Sequence, residues 1–122
     1  MELAIIAPPA MLELSGLVDS AWAAGFFDGE GCVSCSPRVS GPPYPKVIIG
    51  QIHKEVLLKF QSIVGLGNLY SHQNKKGTVW QLQINGHDGC IHVMKMLWPY
   101  LGTVKKEQAL NKIHNLAEHL EL

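Results

Sequence analysis

The chain has 122 residues, 47% hydrophobic and 16% charged, with ten bases balanced by ten acids. That composition predicts one domain with a real core and excludes a disordered chain. No apolar run reaches the roughly 18–20 residues of a bilayer span, Pro8 and Pro9 interrupt the stretch Leu3 to Leu12, and three cysteines are too few for a disulfide scaffold; no membrane partner, no secretory leader and a reducing, intracellular setting are therefore expected.

Residues 1–18 have no clear period and read as an N-terminal arm or a short helix, which leaves 19–122 as a single domain. Asp19 and Ser20 suit an N-cap, and the helix they would open runs from Ala21 through Gly29. Within it Ala21, Gly25 and Gly29 recur at i, i+4 and i+8, so one face is nearly flat. Two glycines cost a helix interior roughly 1 kcal/mol each relative to alanine. Close approach of another helix would offset that cost. Cys32 to Pro37 reads as a strand, Ser40-Gly41-Pro42-Pro43 as a loop, and Lys46 to Ile52 as a second strand. Lys54 to Val64 carries apolar residues at helical spacing and is closed by Gly65 and Gly67. Asn68 to Gln73 and Thr78 to Ile84 read as strands around the turn Asn74-Lys75-Lys76-Gly77. Asp88 to Leu97 and Thr103 to Leu120 read as two further helices. The order α-ββ-α-ββ-α-α repeats one ββα block and predicts an α+β domain, four strands with helices to one side.

Charge and alternation mark one face of that sheet. Between Gly31 and His87 stand six bases and one acid, an excess of five positive charges, and the remainder of the chain is acidic by the same amount. Such a basic middle suits a polyanion. In the fourth strand Trp80, Leu82 and Ile84 are expected in the core, with Gln81 and Gln83 outward. Asn68, Tyr70, His72 and Asn74 share one face of the third strand, and Cys32, Ser34, Ser36 and Arg38 share one face of the first. A sheet face rich in amides and free of acids suits the edges of bases, because Asn and Gln pair bidentately with adenine and Arg with guanine.

The segment Ala23-Ala24-Gly25-Phe26-Phe27-Asp28-Gly29-Glu30-Gly31 resembles the LAGLIDADG homing endonuclease motif. Gly50-Gln51, Val64-Gly65-Leu66-Gly67-Asn68-Leu69, Trp98-Pro99-Tyr100-Leu101 and Lys105-Lys106-Glu107-Gln108-Ala109 extend the likeness over about residues 19–115. The resemblance implies the family's αββαββα fold, with a saddle-shaped four-stranded antiparallel sheet over the major groove of double-stranded DNA. A single motif implies a homodimer joined through Ala21, Gly25, Phe26 and Gly29, and a nearly palindromic site.

The chemistry implied is hydrolysis of phosphodiester bonds with Mg²⁺, or Mn²⁺, and no small-molecule cofactor. By position in the motif Glu30 would hold the metal, with the Gly29 carbonyl as a further ligand. Gln51 would orient water, and Lys105, or its neighbour Lys106, would stabilise the transition state. Asp28 matches the other motif acid and reads as structural. The DNA-binding set is Ser34, Ser36, Arg38, Tyr44, Lys46, Asn68, Tyr70, His72, Asn74, Lys75, Gln81 and Gln83. The family's role implies a homing enzyme of an intron or intein, in an organelle, a bacterial cytoplasm or a phage-infected host. A non-cleaving binder of the same fold, an RNA splicing maturase or a repressor, is the alternative.

Other motifs carry less. Cys32-Val33-Ser34-Cys35 has C-x-x-C spacing, but a strand sends the two thiols to opposite faces and no second ligand pair follows. His87 and His92 are five apart, which does not align them on a helix. Arg38 is the only arginine, so few phosphate contacts and a shallow salt dependence are expected.

Overall fold

The computed structural model describes residues 9–122. Residues 1–8, part of the expected arm, lie outside them. The first helix, α1, runs Pro9–Glu30 and so begins ten residues ahead of the expected cap at Asp19 and Ser20, both of which sit inside it. No glycine or proline run breaks that earlier stretch. Its burial period was hidden because Leu14, Leu17 and Val18 face outward at 53–59% exposure.

The order that follows is β1 Gly31–Ser36, β2 Tyr44–Gln51, α2 Lys54–Val64, β3 Asn68–Asn74, β4 Gly77–Asn85, α3 His87–Leu97, a short 3₁₀ turn Trp98–Tyr100, α4 Thr103–Lys112 and α5 Leu116–His119. The strands form one antiparallel sheet in the order β1-β2-β4-β3. The two hairpins thus meet back to back through β2 and β4, the arrangement that the repeated ββα block foreshadowed. α2 ends where Gly65 adopts the left-handed conformation (φ 80°) and donates its N–H to Gln61. A left-handed residue costs a glycine nothing in steric terms.

The single last helix expected over Thr103 to Leu120 is two helices. The chain extends at Ile113 and turns left-handed at Asn115 (φ 58°). That break lets Ile113 and Leu116 both enter the core, at 2% and 1% exposure. Asparagine is among the few residues that tolerate the conformation.

One side of the sheet carries the core. Val33, Val47, Ile49, Leu82 and Ile84 point from the strands toward Ala23, Ala24 and Phe27 of α1, Leu57 and Phe60 of α2, and Val93, Met94 and Leu97 of α3. Gly31 marks the tightest passage. A Cβ there would fall on the ring of Phe27, so only glycine lets α1 turn directly into β1. Cys90 is buried, and desolvation pushes its thiol up to about 11, against a smaller opposite pull from its backbone hydrogen bond with Val47.

Candidate active site and nucleic-acid face

Two hydrogen-bonded ties bring distant parts of the chain to the C-terminal end of α1. Both carboxylate oxygens of Asp28 accept the Gly102 N–H at 3.0 Å. Gly102 is the N-cap position of α4, so Asp28 binds the main-chain N–H of the cap residue and places negative charge at a helix N-terminus. One and a half turns later the Gln108 side-chain oxygen accepts the Val33 N–H at 2.9 Å. The motif acid Asp28 is therefore spent on structure.

The two ties bracket the other residues. Lys105 lies between Gly102 and Gln108 on α4, and Glu30 lies between Asp28 and Val33. Lys105 shares a helix face with Gln108, three residues on, and that face is applied to β1. The ammonium of its neighbour Lys106 sits 5.4 Å over the Trp98 ring. Gln51 joins from the other side. Gly31, the residue after α1, pairs with Ile49, and Gln51 ends β2 two residues further on. Oε1 of Gln51 accepts the Ile52 N–H at 3.0 Å and the His53 N–H at 3.5 Å. Its acceptor is thereby occupied and its amide N–H groups remain free to donate.

Glu30 is exposed at the last position of α1. Among the described residues no hydrogen bond or ion pair engages its carboxylate. The last carbonyls of a helix lack intrahelical partners, so a carboxylate and main-chain oxygens stand together. This hard oxygen set fits Mg²⁺, which binds through one or two carboxylates and keeps waters and phosphate as its other ligands. Among the described residues no group of three His, Cys, Asp or Glu side chains forms a closed cage.

Sequence patterning did not single out Lys54. Its ammonium lies 4.7 Å over the Trp80 ring, and Trp80 is the β4 partner of Gln51. A base three residues beyond Gln51, at the turn into α2, was the available signal.

The outward sheet face follows the expected alternation. Ser34 pairs with Lys46, Ser36 with Tyr44, Asn68 with Gln83 and Tyr70 with Gln81, and paired residues share a face. His72 and Asn74 continue it to the β3–β4 turn, where Lys75 is exposed and the Asn74 side chain accepts the Lys76 N–H at 2.8 Å. None of the four strands carries a carboxylate. Arg38 lies two residues past β1 rather than within it, with its guanidinium 5.2 Å from the Tyr44 ring centre. Of the expected dimer residues, Ala21, Gly25 and Gly29 are exposed, and a Cβ on either glycine would meet nothing within 4 Å beyond its own helix backbone. Phe26 is turned away from that stripe. It is half-buried, stacked on Trp22 at 5.3 Å and tilted against Phe60 at 6.0 Å.

Among the described residues no helix is long and apolar enough to cross a membrane. A family model for the LAGLIDADG endonuclease matches residues 23–117. No protein of curated function matches the chain in sequence. Solved structures with the same fold include the homing endonuclease I-CvuI bound to the I-CreI target (23% identity, TM-score 0.66), covering 80% of this chain and 64% of that one. The archaeal intron-encoded homing endonuclease I-Vdi141I, complexed with DNA, is similar at 21% identity and TM-score 0.64, over 83% of this chain and 65% of that one. For the homing endonuclease I-TnaI the values are 22% and 0.61, over 75% and 66%. The chain thus spans just under two-thirds of the length of each of these three structures.

Proposed function

The chain belongs to the LAGLIDADG endonuclease family, and on that footing we propose that it is a homodimeric, site-specific DNA endonuclease that makes a metal-dependent double-strand break at a long pseudo-palindromic site, in the service of intron or intein homing. The observation that supports this reading is the pair of ties, Asp28–Gly102 and Gln108–Val33, that draw α4, which carries Lys105, to the end of α1, which carries Glu30. That end adjoins the open glycine stripe. A second α1 laid on the stripe brings two copies of Glu30 together, one for each DNA strand.

Glu30 and the Gly29 carbonyl would hold Mg²⁺ or Mn²⁺, which would supply activation of water and neutralisation of developing charge. The chain's own groups do the rest. Gln51, its oxygen occupied by main-chain N–H groups, donates from its amide nitrogen and orients the attacking water. The Lys105 ammonium faces charge that builds on the phosphate. Lys54 adds a second cation beside Gln51. The acid-free sheet face supplies contact with double-stranded DNA, and Lys75 and Lys46 suit phosphates.

Selection of cleaved duplexes from randomised, roughly 20-base-pair palindromes in Mg²⁺ tests this, with Glu30→Gln as control. A staggered cut that the variant fails to make is expected. Bound but uncut sequences for both proteins would replace the enzyme with the non-cleaving binder.

A further inference from the structure

The outward face of the sheet is not uniform. Its rows, read across the strands from the register, change chemistry along the strand direction. The end beyond Ser36 and Tyr44 is cationic and aromatic. Arg38 is held there over Tyr44, and a stiff loop containing Pro42 and Pro43 precedes β2. The row Cys32–Ile48–Gln83–Asn68 and the next, Gly50–Gln81–Tyr70, carry amides and apolar groups and no charge. These two rows lie three and one residues from Gln51 along β2.

One contact gives the amide row a direction. Nε2 of Gln83 donates to Oε1 of Gln81. Gln83 is left with its oxygen and one N–H free, side by side. That pair complements adenine in the major groove, which offers the N6 amino donor and the N7 acceptor. Guanine presents two acceptors there, O6 and N7. Against guanine the free Gln83 oxygen would face an acceptor, and a second N–H could be supplied only by breaking the bond to Gln81. Ile48, the β2 partner of Gln83, supplies an apolar contact for the methyl group of the paired thymine.

We propose that Gln83, oriented by Gln81, selects an adenine close to the cut in each half-site, and that Arg38 selects a guanine farther out. Ile48 and Tyr44 are four residues apart on β2, about 13 Å of strand. At about 3.4 Å per base pair this separates the two selected positions by roughly four base pairs. The inference rests on the DNA-binding reading above, and Gln81 acts as a positioning residue.

The test selects bound duplexes from a randomised pool in Ca²⁺, using the full chain and three variants whose folding is checked by circular dichroism. Wild type should enrich A·T at one inner position and G·C roughly four base pairs outward. Gln83→Ala should lower the inner preference on the order of ten- to a hundredfold and leave the outer one. Gln81→Leu should admit guanine as well as adenine at the inner position and leave the outer preference as it is in wild type. Arg38→Ala should flatten the outer position alone. A flat or G·C inner position with wild type overturns the proposal and leaves DNA binding intact. So does an unchanged profile in Gln81→Leu. A pool that yields no enriched sequence with any of the four proteins overturns the proposal together with the function beneath it.

Discussion

The two sides of α1 use similar small residues for opposite ends. On one side Ala23 and Ala24, both fully buried, let the helix sink against the sheet and α3, with Phe27 as the large side chain between them and the core. On the other side Ala21, Gly25 and Gly29 are exposed, and a Cβ on either glycine would touch nothing within the protomer. Leu14, Leu17 and Val18 continue that open stripe toward the N-terminus. Small residues on the buried side are required by the fold. On the open side the fold makes no such demand, so two helix-weakening glycines remain without a structural reason inside one copy of the chain. The second copy of α1 proposed above, packed at close backbone distance, would supply one.

Substitutions at glycines on either side sharpen the contrast. The largest effect on stability is expected for Gly31→Ala, whose Cβ meets the buried Phe27 ring. Overpacking there should cost about 3 kcal/mol, visible as a lower urea midpoint. On the open side Gly25→Glu should leave the protomer's stability within about 0.5 kcal/mol. It should weaken self-association at least about a hundredfold, because burying an unpaired charge in the helix interface costs several kcal/mol. Sedimentation equilibrium measures this, and DNA cleavage should fall with it. A dimer that survives Gly25→Glu would leave the open face as mere solvent-exposed surface.

Asp28→Ala should be milder in stability, about 1–2 kcal/mol for the lost cap. It frees the start of α4, so cleavage should fall more than DNA affinity does as Lys105 loses its placement. Equal loss of both would count against that role.

The smallest effect belongs to the core side. The Cys90 thiol is raised from the ordinary 9.0 to about 11 by burial, so the folded state holds that proton more tightly than the unfolded state. Its contribution is complete below pH 9 and is lost as the pH climbs toward 11. The stability difference between wild type and Cys90→Ala should shrink across that window in denaturant titrations.

Sequence by itself determined the α+β class, the order of the elements, and the outward face of each strand, because a period of two in strands and 3.6 in helices follows from local backbone geometry. Asn68, Tyr70, Gln81 and Gln83 were legible for that reason, as was the flat stripe of Ala21, Gly25 and Gly29. Local pattern was blind where a long-range contact chose the outcome. Residues 13–19 of the helix are all exposed, so no buried face betrays them. The break at Asn115 exists because Ile113 and Leu116 both need the core. Phe26 belongs to the stack with Trp22 and Phe60, which helix spacing alone does not reveal. That Lys106 lies over the Trp98 ring is equally hidden from local pattern. Asp28 and Gly102 are 74 residues apart, and no periodicity links them. Only tertiary structure brings Asp28 to Gly102 and Gln108 to Val33, and with them Lys105 to the end of the motif helix.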